Sequence, residues 1–153
     1  MNDIHYLKLA INQAKESIKK GGFPAGALLV KDKKIISKGI SIGNLLNDPT
    51  SHSETSVIRE VCKINKTNNL DGAILYASLE PCNMCFSVAN WSGISKIVFG
   101  CKKTLEMVKK GYYEGEIGLL ELNSKNNRKI EILYISDFEK EILEIINLWE
   151  SKI

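Results

Sequence analysis

Histidine is nearly absent from this chain, with two in 153 residues, so any imidazole chemistry must fall to His5 or His52. No apolar run approaches the roughly 18 residues that a membrane-spanning helix requires. The amino terminus lacks the apolar core and small-residue cleavage site of a secretory signal. Four cysteines show no disulfide-framework spacing, which fits a reducing compartment where thiols act as ligands or core fillers. These absences predict a cytoplasmic protein with no membrane partner. Charge of one sign is lacking too: 21 basic residues are interleaved with 18 acidic ones for a net +3, so no basic stripe declares a nucleic-acid surface.

What is present is ordinary globular composition, 44% apolar and 25% charged, at a length that suits one domain over residues 1–153. Ile4, Leu7, Ile11, Ala14 and Ile18 recur at three- and four-residue steps, predicting a first helix from Asn2 or Asp3 that stops at Gly21-Gly22. His5 falls on its polar face with Lys8 and Asn12, which leaves His52 as the credible imidazole ligand. Residues 25–31 and 34–41 read as a hairpin across Asp32-Lys33, and 41–50 as a polar loop. Ser53 to Asn65 is helical, with Glu54, Val57, Ile58 and Val61 on one stripe, so a carboxylate shares the core-facing side.

Strands are predicted at 73–79, 95–100 and 129–135, with a helix opening at Pro81 and a last one behind a capping box of Ser136 and Glu139. Phe138, Ile142, Ile145, Ile146 and Trp149 share one stripe of that last helix. Thr104–Lys110 reads as a helix, and no chemistry is assigned between Cys101 and Arg128. A strand, helix and strand around 81–95 suit a parallel crossover. The alternation predicts a three-layer α/β/α fold around one mixed sheet.

Chemistry concentrates in Ser51-His52-Ser53-Glu54 and Pro81-Cys82-Asn83-Met84-Cys85. One imidazole and two thiolates suit tetrahedral Zn2+, and three protein ligands leave a fourth position for water, the pattern of catalytic rather than closed sites. His52, Cys82 and Cys85 supply that set, with Cys82 and Cys85 at i and i+3 at a helix start whose N–H groups stabilise thiolates. Zinc lowers the pKa of bound water toward about 7, and Glu54 is placed to carry its proton. A closed zinc site with Cys62 or Cys101 as fourth ligand is the competing reading, as is a non-catalytic zinc module.

H-x-E followed by P-C-x-x-C resembles the signature of the cytidine deaminase-like superfamily. From Phe23 to Cys101 the chain is similar to its guanine deaminase, nucleoside deaminase and tRNA adenosine deaminase branch, through Pro24-Ala25-Gly26-Ala27, Asp48-Pro49-Thr50-Ser51-His52-Ser53-Glu54 and Leu79-Glu80-Pro81-Cys82-Asn83-Met84-Cys85. The resemblance implies a five-stranded mixed sheet, a homodimer, zinc on His52, Cys82 and Cys85, and Glu54 as proton shuttle. It implies hydrolytic deamination of a purine or related amino-heterocycle, a free base or nucleoside, with tRNA as the alternative substrate. The chain departs from the branch at Ser41, where many relatives carry a base-binding asparagine; Asn44 is nearby but out of register. Trp91 resembles a tryptophan of guanine deaminases, although nine residues past Cys82 on a regular helix is half a turn from the ligand face. Ser41, Asn44 and Trp91 are the candidate substrate contacts.

Overall fold

A computed structural model describes residues 2–153. A five-stranded mixed sheet runs in the order β2-β1-β3-β4-β5, with β1 (Phe23–Lys31), β2 (Lys34–Ser41), β3 (Ile74–Ala77), β4 (Lys96–Phe99) and β5 (Glu131–Tyr134). β1 pairs antiparallel with β2 and with β3, while β3, β4 and β5 run parallel. The helices are α1 (Asp3–Lys19), α2 (Gly43–Leu46), α3 (Ser53–Asn65), α4 (Asn83–Trp91), α5 (Leu105–Lys109), α6 (Leu119–Lys125) and α7 (Glu139–Glu150). Among the described residues no helix is long and apolar enough to cross a membrane.

The central strands are buried on both faces, as a sheet covered by crossover helices must be. Side chains alternate across a strand. Leu28, Val30, Tyr76 and Val98 therefore join Leu7, Ile11, Ile142 and Ile146 under α1 and α7, while Ala27, Leu29, Leu75 and Ile97 join Val57, Val61, Phe86 and Leu119 under α3, α4 and α6. The last helix buries Ile142 and Ile146 from its apolar stripe. At Gly39 of β2 an added Cβ would overlap Ser53 O, so the absence of a side chain there lets the first turn of α3 sit directly on the sheet.

Two local expectations need correction. Pro81 is not the first helical residue: Cys82 is the N-cap of α4, and its sulfur accepts the N–H of Cys85 at 3.5 Å. A thiol that takes up an orphan N–H does the work of a cap, which leaves the proline one residue outside. The capping box at Ser136 does not form either. Ser136–Phe138 make a 3₁₀ turn, α7 begins at Glu139 without a side-chain cap, and Glu139 instead accepts a hydrogen bond from the Tyr134 hydroxyl.

Candidate active site

The site lies past the carboxyl ends of β3 and β4, where ligands of open α/β sheets collect. Ser78, just beyond β3, ties to β1 through Gly26: its N–H donates to Gly26 O and its hydroxyl accepts the Gly26 N–H, each at 3.0 Å. The Glu80 N–H donates to Cys101 O at 2.7 Å, so the segment carrying Cys82 is anchored to the ends of both neighbouring strands. From the other side α3 begins at its N-cap, His52. Two helix starts therefore converge, each bringing partial positive charge toward the thiol pair.

His52 Nδ1 stands 3.5 Å from Cys82 Sγ and 3.5 Å from Cys85 Sγ, and the three ligand atoms all lie within 4.8 Å of one another. Metal–sulfur bonds of about 2.3 Å and a metal–nitrogen bond of about 2.0 Å at a tetrahedral angle require an N to S separation of about 3.5 Å. The donor set thus fits zinc in both type and spacing. Cys101 and Cys62 are not part of this group: Cys101 turns its thiol to Lys102 O, and Cys62 sits on the far half of α3.

Electrostatics at the site follow from crowding. The Cys85 thiol and the His52 imidazole hold Cys82 down to about 5, against the cost of burial. Cys85, the partner that donates to Cys82, is pushed well above the ordinary thiol range by that bond and by burial. Cys82 raises His52 in return. Glu54 is only 6% exposed and lies on the same buried stripe as Val57, Ile58 and Val61. Burial, and then the neighbouring Cys82 thiolate, push its carboxyl up. The Ser53 hydroxyl donates to Glu54 Oε2 at 2.8 Å, opposing part of that rise.

Glu54, His52 and Cys82 border a cavity of about 540 Å³, within the usual range for small-molecule sites. Ser41 lines it, with its own N–H and C=O both taken by the buried Ser17 hydroxyl at 3.1 Å. Asn44 lines it as well and donates to Gly21 O at 3.0 Å. Trp91 does not: the last residue of α4 is 87% exposed and away from the cavity, as half a helical turn from the ligand face requires.

Several cavity residues escape the sequence reading. Phe23, Tyr112 and Trp149 form one aromatic wall, with ring centroids 5.1, 5.3 and 5.9 Å apart. Tyr113, buried beside them, donates its hydroxyl to Glu80 O at 2.7 Å. Glu150 at the end of α7 accepts from the Tyr112 hydroxyl at 2.6 Å and from Lys110 at 3.0 Å, holding the last turn of that helix against residues 110–113. The pair Tyr112-Tyr113, set between Gly111 and Gly115 in an otherwise polar stretch, was the one available signal.

Residues 1–101 match the family model described as the cytidine and deoxycytidylate deaminase zinc-binding region. The chain belongs to this deaminase family. A tRNA-specific adenosine deaminase of Aquifex aeolicus is 41% identical over 99 residues, 65% of this chain and just under two thirds (66%) of that protein. A guanine deaminase of Bacillus subtilis is 39% identical over 105 residues, 68% of this chain and 67% of that protein. A probable cytosine deaminase of Schizosaccharomyces pombe is 31% identical over 144 residues, 88% of this chain and 86% of that protein. Among solved structures, one from work on A-to-I editing by tRNA:A34 deaminases superposes with a TM-score of 0.78 at 27% identity, covering 93% of this chain and 99% of that one. The mixed five-stranded sheet with its flanking helices is the cytidine deaminase-like fold.

Proposed function

We propose that this protein hydrolyses the exocyclic amine of a purine or related amino-heterocycle, taken as a free base or nucleoside, and releases ammonia. The observation that carries the reading is the buried Glu54 carboxyl beside the His52, Cys82 and Cys85 group at an aromatic-walled cavity. In this reading His52 Nδ1 and the sulfurs of Cys82 and Cys85 hold Zn2+, which supplies a Lewis acid that makes water a nucleophile near neutral pH. Glu54 takes a proton from the attacking water, passes it to a ring nitrogen and then to the departing amine. A carboxyl whose pKa is raised by burial suits both halves of that task. The Ser53 hydroxyl fixes the Glu54 carboxylate, so the proton carrier is oriented before substrate arrives.

The wall of Phe23, Tyr112 and Trp149 matches a planar ring, since base–aromatic stacking contributes about 1–3 kcal/mol per base. Ser41 and Asn44 stand on the cavity lining as polar contacts for the ring edge. The bonds from Lys110 and Tyr112 to Glu150 draw the end of α7 over this wall, which favours a small substrate over a polynucleotide. A second reading, tRNA adenosine-to-inosine editing, is favoured by the 41% identity to the Aquifex protein over 99 residues; it predicts tRNA binding that weakens steeply with salt. Both readings take residues 1–153 as one cytoplasmic deaminase domain working as a homodimer.

The test is ammonia release by purified, zinc-loaded protein against a panel of free bases, nucleosides and tRNA. Release from a base or nucleoside is expected. Release from tRNA alone would replace the first reading with the second, and release from no member of the panel would contradict both.

A further inference from the structure

Thr55, the third residue of α3, is 4% exposed and makes two connections to the segment that carries His52. Its Oγ accepts the His52 N–H at 3.0 Å. Its hydroxyl hydrogen goes to Thr50 O. Thr50 is itself fixed: the Asp48 carboxylate accepts its N–H and hydroxyl at 2.9 and 2.7 Å, and Arg59 donates to its Oγ at 3.1 Å. One hydroxyl thereby joins the 48–52 loop to the first turn of α3.

We propose that Thr55 is a positioning residue that holds His52 in place for the two sulfurs before any metal arrives, and so raises the affinity for zinc. The inference rests on the zinc reading of the His52, Cys82 and Cys85 group. His52 Nδ1 already stands at the tetrahedral separation from both sulfurs, yet His52 lies outside the regular part of α3, on the last residue of a loop. Loops lose order more readily than helix interiors. Two bonds from the Thr55 hydroxyl, one to the N–H of His52 and one to the carbonyl two residues before it, remove that freedom at the ligand that needs it most. Groups that orient a metal ligand from outside its shell change metal affinity by about 10- to 100-fold when removed.

The experiment measures the zinc dissociation constant of the full chain by competition with a chromophoric chelator, for wild type, Thr55→Val, Thr55→Ser and His52→Ala. Thr55→Val keeps the shape and loses the hydroxyl; it should bind zinc about tenfold or more weakly, while Thr55→Ser should return to within about twofold of wild type. Wild-type affinity in T55V, or equal losses in T55V and T55S, would overturn the inference. His52→Ala separates it from the site reading: zinc bound by H52A as tightly as by wild type would remove the zinc site itself. Amide exchange on the wild-type protein needs no variant. The His52 amide should exchange slowly with zinc removed, and exchange at the rate of an open loop in the metal-free protein would also overturn the lock.

Discussion

Two polar clusters sit on this sheet and differ in how their charges are met. Where α1 starts, Asp3 accepts from the Tyr76 hydroxyl at 2.7 Å and from Lys96 at 2.9 Å. Burial alone would raise its carboxyl, but these partners win and hold it below its ordinary value. At the carboxyl ends of β3 and β4, Glu54, Cys82 and Cys85 crowd together, and of that group only His52 can carry positive charge. Burial raises Glu54, and the bond to Cys82 together with burial raises Cys85. The first cluster is a finished structural joint; the second has the donor set of a cation site, and strained titratable groups at a cavity mark function rather than stability.

The comparison breaks most visibly at the metal group. His52→Ala should abolish zinc binding, measured as metal per chain after dialysis, and should remove ammonia release with it, while an Asp3→Asn protein should keep its full zinc content. Trp149→Ala sharpens the cavity side. Losing one ring of the wall should raise KM for a free base roughly tenfold, equivalent to about 1.4 kcal/mol, with a smaller change in kcat; an unchanged KM would remove the aromatic wall from substrate binding.

The two carboxyls should respond to neutralisation with opposite signs. Glu54 has a raised folded pKa, so its ionised form opposes folding at neutral pH. Glu54→Gln should therefore stabilise the metal-free protein against thermal unfolding, by on the order of 1 kcal/mol. Asp3 has a depressed folded pKa, so its contribution is present above the ordinary 3.8 and is lost as pH falls through the folded value. Asp3→Asn should cost about 1 kcal/mol at pH 7, and the gap to wild type should close as the pH is taken well below 3.8. Shifts of the same sign in urea or thermal melts would erase the distinction between the clusters. The smallest effect belongs to Trp91→Ala, within about 0.5 kcal/mol in stability and with turnover unchanged, because the side chain faces solvent; a drop in turnover would place it against the site of a second copy.

How much of this was legible in the chain follows from range. α3 could be read because Glu54, Val57, Ile58 and Val61 repeat at helical spacing, and the ligand group because each half of it is compact in sequence. Helix ends were less legible: at Pro81 and Ser136 the boundary depended on which side chain took the free N–H groups, and in α4 that was Cys82 itself. The aromatic wall was barely legible, through the Tyr112-Tyr113 pair alone. Phe23, Tyr112 and Trp149 come from three distant segments, and only the closure of the sheet and the seating of α7 bring their rings together. Trp91 shows the converse, a residue suggested by likeness to relatives and turned outward by helical phase.

The most direct measurement pairs zinc content with ammonia release in Glu54→Gln protein on the substrate that wild type turns over best. Full zinc with turnover reduced by about 10²- to 10⁴-fold is the predicted result; turnover at the wild-type rate in that protein would contradict the proton-carrying role on which the account depends.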